Sequence, residues 1–555
     1  MTAMPKINAL VSSTIPIVII LLLYTFLPFS IGASEEDGVQ SFTQVEYISG
    51  ASGGDLSTTG KLSPGQTDRI RKGHLERREN VVVRSDNNPA ARLSGGPTEP
   101  GRPSEVVPSH AGAGPPGDPS AFLIGKNVKN PLASIIGSSI AEPAAANDRG
   151  QILYLGNTFA SQSVNGGTTW RNVPLPLGPE DAPYACCDPD VIHDHRRGGT
   201  FWSVLYLDEG LSNGAVRIFV RRNIPAGDAC SYTVDPGGTG NDIIPDYPHL
   251  GLSENFLYLS TANLQQGAWV GSQVRRFKID DMLACNDIVR TEVFTFGPED
   301  APGQRVFVPI EGAKDAMYWG ALESSTMFRI FQWPEDSASV SQFLRPISES
   351  TFENPDCRGG VDDIDFIESR SAWSIAGFRL RGAQGRGGIY FLWNVGPDIL
   401  HTQGHVHAAI FGGPGLAPIA EPHIFNNNFC FGYPAVGSND RGDLGMSIAA
   451  GGRTGGGGMA ARGFVSISDD FVPGIGIFDT FKLTADGTHN PLEARFGDYF
   501  TVRRQSPCGL FWAATNYSLL NGNFEVSNVN ARYVEFGRGR DSQCYVSGNQ
   551  NRGLE

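Results

Sequence analysis

Asp246-Tyr-Pro-His-Leu250, followed six residues on by Phe256-Leu-Tyr-Leu-Ser-Thr261, decides the fold. The first piece sets an acid and a Tyr-Pro step ahead of apolar residues. The second is a short run of aromatic, aliphatic and hydroxyl residues with the length and composition of a buried strand. The same order recurs along the chain. Aromatic runs stand at Gln151-Ile-Leu-Tyr-Leu-Gly156, Thr200-Phe-Trp-Ser-Val-Leu-Tyr-Leu207, Ala316-Met-Tyr-Trp-Gly-Ala321, Ala372-Trp-Ser-Ile-Ala376 and Gly509-Leu-Phe-Trp-Ala-Ala-Thr515. Leading segments stand at Ser139-Ile-Ala-Glu-Pro143, Asp188-Pro-Asp-Val191, Asp246-Tyr-Pro-His-Leu250, Phe307-Val-Pro-Ile-Glu311, Asp362-Asp-Ile-Asp-Phe366, Tyr433-Pro-Ala-Val436 and Arg495-Phe-Gly-Asp-Tyr499. They are roughly 50 to 70 residues apart, and no amphipathic helix longer than two turns interrupts them. A long-period, all-strand repeat predicts an all-β chain: a single β-propeller over 126–540, with seven four-stranded blades, six being the other count the spacing allows. A tandem of sandwiches would not repeat one order seven times.

The totals agree. Among 555 residues there are 69 Gly and 37 Pro, and only 18 % are charged, which favours many short strands over helices. A net charge of −15 excludes nucleic acid as a partner over most of the surface. Lys6, the apolar stretch from Ile15 to Ile31 and the small-residue site ending at Ala33 read as a signal peptide or an uncleaved signal-anchor over 1–33. Either reading puts the rest outside the cytoplasm, secreted or anchored at the cell surface, with the anchor as the only membrane contact. Residues 34–125, dense in Gly, Pro, Ser and Arg, are expected to form a disordered linker or propeptide. Residues 541–555 are a short tail. Eight widely spaced cysteines without a Cys-x-x-Cys pair predict disulfides rather than a zinc ribbon, and adjacent Cys186 and Cys187 are expected to take different partners.

Ser163-Val-Asn-Gly-Gly-Thr-Thr-Trp170 resembles the Asp-box, Ser-x-Asp-x-Gly-x-Thr-Trp, with Asn165 in the place of the Asp. Tyr247-Pro-His-Leu-Gly251 with Leu257-Tyr-Leu-Ser-Thr-Ala-Asn263, and Arg495-Phe-Gly-Asp-Tyr499 with Phe511-Trp-Ala-Ala-Thr-Asn-Tyr517, are similar to secreted sialidase-like (BNR/Asp-box) propellers. The resemblance covers 130–540. It implies a structural role for Ser163, Asn165, Gly167, Thr169 and Trp170 in closing a hairpin, and a ligand site at one mouth of the central channel. The Arg-Ile-Pro stretch that supplies the first carboxylate-binding arginine of true sialidases is absent.

The leading segments should be the innermost strands, so their polar residues should converge. Asp188, Asp190, Asp246, His249, Glu311, Asp362, Asp363, Arg495, Asp498 and Tyr499 form the expected set. Clustered carboxylates raise one another's pKa and suit general acid/base work or a cation. The sialidase-like reading implies Tyr499 as nucleophile polarised by Glu311, with Asp188 and Asp363 as further catalytic acids. Arg495 and Arg441 would grip the substrate, helped by Asp246, His249 and Asp498. No cofactor is expected, although a structural Ca2+ would suit so many acids. His401-x-x-x-His405-x-His407 could bind a metal, but with no acid or cysteine in the stretch it reads as an exposed loop, so no metal site is assigned. His193 and His195 read as a polar turn, and Gly451–Gly458 as a hairpin. Three functions stay open for a chain expected to be a monomer: a carbohydrate-directed glycoside hydrolase, a non-catalytic module binding a glycan or protein at the cell surface, and a purely structural envelope protein.

Overall fold

The computed structural model of the chain describes residues 39–52, 82–84 and 118–544, apart from 139, 223, 225–228, 237–241, 301–304, 352–355, 368–379, 453–457, 492–495 and 521–527. The signal reading over 1–33, Arg495 and the run at Ala372 lie outside the described residues.

The strands form seven antiparallel blades, each running from the channel outward. Blade 1 comprises Ala144–Asp148, Gln151–Gly156, Phe159–Ser163 and Thr169–Val173. Blade 2 runs Asp190–Asp194, Gly199–Leu207, Gly214–Arg222 and Ala229–Val234, and blade 3 Ile243–Leu252, Phe256–Gln265, Ala268–Lys278 and Ile288–Phe296. In blade 4 the extended segment 305–310 lies inside Ala316–Ser324, Met327–Pro334 and Ser339–Pro346, and the Ile310 amide donates to the Tyr318 carbonyl. Blade 5 runs Arg381–Gly385, Gly388–Val395, His405–Gly412 and Ala417–Ala420; blade 6 runs Cys430–Ser438, Leu444–Gly452, Met459–Ser468 and Lys482–Ala485. Blade 7 is made of Val502–Arg504, Trp512–Asn516 and Arg532–Arg538, and its outer strand is Phe122–Lys129 from the other end of the chain. That pairing closes the ring and leaves no open edge between first and last blades.

The aromatic second strands bury their rings between blades. Trp319 stacks on Phe331 at 5.5 Å, Trp393 on Phe328 of the preceding blade at 5.4 Å, and Trp512 on Phe536 at 5.5 Å. Each ring removes large apolar area from water, so neighbouring sheets are locked face to face. The Trp512 indole also donates to the Gly437 carbonyl of blade 6 at 2.8 Å.

Three expectations change. Val39–Phe42 and Gln44–Ser52, placed in the disordered linker, add strands to the propeller's outer edges. The first pairs with Ser339–Gln342 of blade 4; the second bridges Ile288–Val293 of blade 3 and Cys230–Tyr232 of blade 2. Edge addition runs on main-chain hydrogen bonds and needs little apolar burial, so average composition over 34–125 hides it. Val82–Arg84 similarly edges blade 1. Secondly, the segment at Asp362 is not an inner strand. It is a small hairpin, Arg358–Gly359 with Ile364–Asp365, in the link between blades 4 and 5; the inner strand of blade 5 is Arg381–Gly385. Thirdly, Cys186 and Cys187 are bonded to each other. The other bridges are Cys230–Cys285, Cys357–Cys430 and Cys508–Cys544, the last tying 544 back to blade 7 and so reaching into the expected tail. Among the described residues no helix is long and apolar enough to cross a membrane.

Candidate active site at the leading mouth of the channel

Because all seven inner strands run the same way, the channel has a leading mouth, where they begin, and a trailing mouth, where they end. Four blades approach the leading mouth through an unusual step: Glu142, Asp188, Tyr247 and Tyr433 each have φ between 39° and 57° and each precedes a proline. A non-glycine residue at positive φ is sterically disfavoured, and a following proline normally pushes its neighbour to extended backbone. In blades 3 and 6 the step lies within a bulge, between Asp246 and His249 and between Gly432 and Ala435.

Three of these four steps, with Asp246 and Asp498, gather an acid cluster. Asp188 and Glu142 are buried; Asp246 and Asp498 are half-buried. Burial pushes the Asp188 carboxyl well above the usual range, and the charges of Glu142, Asp246 and Asp498, with a hydrogen bond to Glu142, push it the same way. Asn157 fixes the pair from behind: its amide donates to Glu142 Oε2 at 2.6 Å, and its oxygen accepts from the Asp188 backbone N–H at 3.0 Å.

A buried column continues down the channel. The Tyr499 hydroxyl donates to the Pro189 carbonyl at 2.8 Å, and its ring meets His249 edge-on at 4.7 Å and Tyr247 at 5.7 Å. Arg381 donates to the Tyr247 hydroxyl at 2.8 Å and lies over the Tyr499 ring at 5.5 Å. Burial first, then Arg381, lowers His249 to about 4, so its imidazole is neutral at pH 7. Asp190 accepts from the Leu250 and Val191 amides at 2.9 and 2.7 Å, faces His249 at 3.5 Å, and is ion-paired with Arg503. Burial works to raise Asp190; Arg503, His249 and the Leu250 amide outweigh it and hold the carboxyl well below its ordinary value. Arg503 also pairs with Glu311.

Glu311 and Arg503 reach the trailing mouth, where a cavity of about 500 Å³ is lined by Lys314, Arg386, Arg441 and Arg504 among others. Asp194, Glu254, Glu311 and Asp440 line the same cavity, so the trailing mouth carries charges of both signs.

The structure brings Asp188, Asp190, Asp246, His249, Asp498 and Tyr499 together, as the leading-segment argument expects. Four expected roles do not match the geometry. Tyr499 is buried, its hydroxyl is committed to a carbonyl, and burial with the charges of Asp188 and Glu142 raises its pKa well above the ordinary phenol; it is held protonated. Glu311, expected to polarise it, is held by Arg503 and faces the opposite cavity. Asp363 is exposed in the turn of the 358–365 hairpin. Arg441 is fixed by Asp443 at 3.1 Å and by Asp541, so it is not free to grip a substrate carboxylate. The acids Asp443, Asp469 and Asp470 beside it are neutralised by Arg386, Arg538 and Arg540. His193 is not in a turn; it lies on the inner strand of blade 2, buried, bonded to Thr200 at 2.9 Å, while His195 does lie in the turn. Glu142, Tyr247, Arg381 and Arg503 were not among the expected residues.

At Ser163-Val-Asn-Gly-Gly-Thr-Thr-Trp170, Ser163 Oγ accepts from the Gly167 amide at 2.8 Å and Asn165 Oδ1 from the Thr169 amide at 2.8 Å. Trp170 is fully buried beneath this turn. The turn is on the outer half of blade 1, remote from the channel in strand order.

No family model matches the chain, and no curated protein matches it. Among solved structures it is similar to the Trypanosoma rangeli sialidase, at 9% identity and TM-score 0.38 over 68% of this chain and 57% of that one. The chain thus spans little more than half the length of that sialidase. It is also similar to a Penicillium chrysogenum alpha-L-arabinanase complexed with arabinobiose, at 10% identity and TM-score 0.34, covering 72% of this chain and 93% of that one. The alpha-L-arabinofuranosidase ARB93A of Fusarium graminearum is similar at 11% identity and TM-score 0.34, covering 71% and 92%. The seven blades of this chain rest on its own strand pairing.

Proposed function

We propose that the protein is a glycoside hydrolase whose chemistry takes place at the acid cluster of the leading mouth. The observation that carries this reading is Asp188, a carboxyl raised well above its ordinary pKa by burial and by Glu142, with two further carboxylates, Asp246 and Asp498, beside it. Glycoside hydrolysis needs that asymmetry: one carboxylic acid kept protonated to give its proton to the leaving oxygen, and one carboxylate ionised opposite it as base or nucleophile. Asp188, sharing its proton with Glu142, takes the acid role; Asp246 or Asp498 takes the other. Tyr499 positions Pro189, and through it Asp188, rather than attacking.

The charge of the mouth selects the substrate. Even with one proton shared between Asp188 and Glu142, the cluster is net negative and repels an acidic sugar, and Arg381, Arg441 and Arg503 are each engaged within the protein. A neutral glycan is the fitting ligand. Four disulfides support work in an oxidising, extracytoplasmic compartment.

The test is release of a fluorogenic aglycone from a panel of neutral glycosides and sialosides by the full chain. Turnover is expected on a neutral glycoside, none on sialosides, a loss of about 10²–10⁴-fold in Asp188→Asn, and a similar loss in Asp246→Asn or Asp498→Asn. Tyr499→Phe keeps most of the rate. Turnover that survives Asp188→Asn, or that vanishes with Tyr499→Phe while Asp188→Asn leaves it intact, would overturn the assignment.

A further inference from the structure

Outside the channel, on the outer half of blade 5, the structure buries a group of histidines that the sequence pattern alone reads as an exposed loop. His405 and His407 are fully buried on the strand His405–Gly412, and His401, in the link ahead of it, is nearly so. His423 comes from the short strand His423–Ile424 that pairs with the same strand. Asp398 completes the group from the start of the link.

We propose that Asp398, His401, His405 and His423 are the four ligands of a tetrahedral divalent transition metal, Zn2+ by the chemistry of the donors. One ligand atom from each of the four lies within 4.8 Å of all the others. Two metal–nitrogen bonds of about 2.0–2.1 Å at a tetrahedral angle set donors roughly 3.3 Å apart. The spacings here bracket that figure: His405 Nε2 to His423 Nδ1 is 3.0 Å, His401 Nδ1 to Asp398 Oδ2 is 2.8 Å, and His405 Nε2 to Asp398 Oδ2 is 3.7 Å.

The surroundings orient the donors inward. His405 Nδ1 lies 3.1 Å from the Gln403 carbonyl, which can only accept; the proton is therefore on Nδ1, and the Nε2 lone pair faces the cluster. A ligating imidazole held by a backbone carbonyl through its other nitrogen is the usual arrangement around a bound metal. Asp398 spends Oδ1 on the Leu400 and His401 amides, both at 2.7 Å, leaving Oδ2 for the cluster. His407 is not a ligand. Its nitrogens are engaged by Ser350 at 3.0 Å and Glu421 at 3.2 Å, and its ring stacks under His423 at 4.3 Å. Phe425 packs edge-on against His401 at 4.4 Å and covers the other side.

Three nitrogens and one oxygen suit Zn2+ better than Ca2+ or Mg2+, which take oxygen donors. With all four positions supplied by protein the site is closed, which is the mark of a structural metal. It clamps the 398–401 link and His423–Ile424 onto the third strand of blade 5.

The experiment strips the full chain with chelator and titrates Co2+, following visible absorption, then competes with Zn2+. The expected result is one equivalent of Co2+ with the intense ligand-field bands of tetrahedral coordination, displaced by one equivalent of Zn2+. His405→Ala and His423→Ala abolish the bands, Asp398→Asn alters them without changing the fold, and His489→Ala leaves them as in the parent. A folded parent chain that develops no tetrahedral bands overturns the proposal. So does a spectrum unchanged in Asp398→Asn, His405→Ala and His423→Ala. If the alanine variants fail to fold, the parent titration and the nearly isosteric Asp398→Asn still decide.

Discussion

Arg503→Met removes the cation that joins Asp190 to Glu311 in the middle of the channel. Arg503 is only 7% exposed, pairs with both carboxylates, and donates from Nε to the Val191 carbonyl at 3.1 Å. Met matches the apolar stem, so packing is largely kept while two buried or half-buried acids lose their partner. Breaking a buried pair from one side costs about 3–5 kcal/mol, because the remaining charge stays desolvated. Asp190 keeps the Leu250 and Val191 amides, which argues for the lower half of that range. Unfolding entropy of about 2.1 cal/mol/K per residue over roughly 420 residues of propeller gives a melting shift of about 3–5 °C downward. The cost is pH-dependent, with a definite sign. Asp190 is held below its ordinary pKa in the fold, so its ionised form contributes stability above the unfolded value near 3.9 and loses it as pH falls through the depressed folded value. Without Arg503 the folded pKa rises, Asp190 takes up a proton at mildly acidic pH, and the gap between variant and parent narrows below about pH 4. Calorimetric scans at pH 7 and pH 3.5 measure both quantities. A shift under about 1 °C at neutral pH, or an equal gap at both values, would refute the claim that charge rather than packing makes Arg503 necessary.

Asp188→Asn should melt higher than the parent at pH 8, the opposite direction to its expected effect on the proposed turnover. A carboxyl whose folded pKa is raised gives its stability at low pH and loses it as pH climbs through the folded value, and the amide has no such loss. A lower melting temperature at that pH would contradict the direction of the shift. Gly445→Ala should cost about 1–3 kcal/mol, because the new methyl would stand 2.5 Å from the Trp512 indole, which its bond to Gly437 prevents from withdrawing; a urea midpoint like the parent's would show that the blade 6–7 contact gives way. Removing the Cys357–Cys430 bridge, which closes a 73-residue separation between the blade 4–5 link and blade 6, should cost about 2–5 kcal/mol by the same denaturation, and non-reducing peptide mapping should recover Cys186 and Cys187 joined in one peptide. A crosslink from either to a distant cysteine would rule out the vicinal bridge.

The blades were legible because each is specified locally. An aromatic strand such as Thr200–Leu207 or Ala316–Ala321 announces itself by composition, and the acid or Tyr-Pro step before it marks where an inner strand begins. Composition misleads where a similar segment belongs to a link. Asp362-Asp-Ile-Asp-Phe366 has the acids of a leading segment but none of the channel position, while the true inner strand, Arg381–Gly385, carries a cation instead and so escaped the pattern. Glu142 stands in plain view in a leading segment; what singles it out is its contact with Asp188, a partner in the next blade. The outer strands at Gln44–Ser52 and Phe122–Lys129 pair with residues hundreds of positions away, which no local periodicity reports. The histidines of blade 5 are a similar case. His401-x-x-x-His405-x-His407 looks polar in sequence, yet all three histidines are buried, and the acid of the group, Asp398, lies just ahead of the stretch.

The left-handed steps at the leading mouth tie fold to chemistry. Holding a non-glycine residue at positive φ costs on the order of 1–3 kcal/mol each, and the surrounding structure must over-determine it. Where only the backbone path matters, glycine serves, as Gly497 does at φ 107° in the corresponding approach to blade 7. At Glu142, Asp188 and Tyr247 the chain keeps a polar side chain instead and bears the strain. The step at Tyr433 supplies the contrast: its hydroxyl donates to the Phe366 carbonyl at 2.7 Å and its ring packs among Phe366, Phe496 and Phe500, so there the side chain pins a link to a blade. The other three point an acid, an acid and a phenol into one polar cluster with a raised carboxyl at its centre. A purely structural mouth gains nothing from that combination, since burying like charges destabilises the fold that holds them. Strain and electrostatic cost thus fall on the same residues, Glu142 and Asp188, which is the pattern expected where selection has kept side chains for their chemistry rather than for the stability they confer.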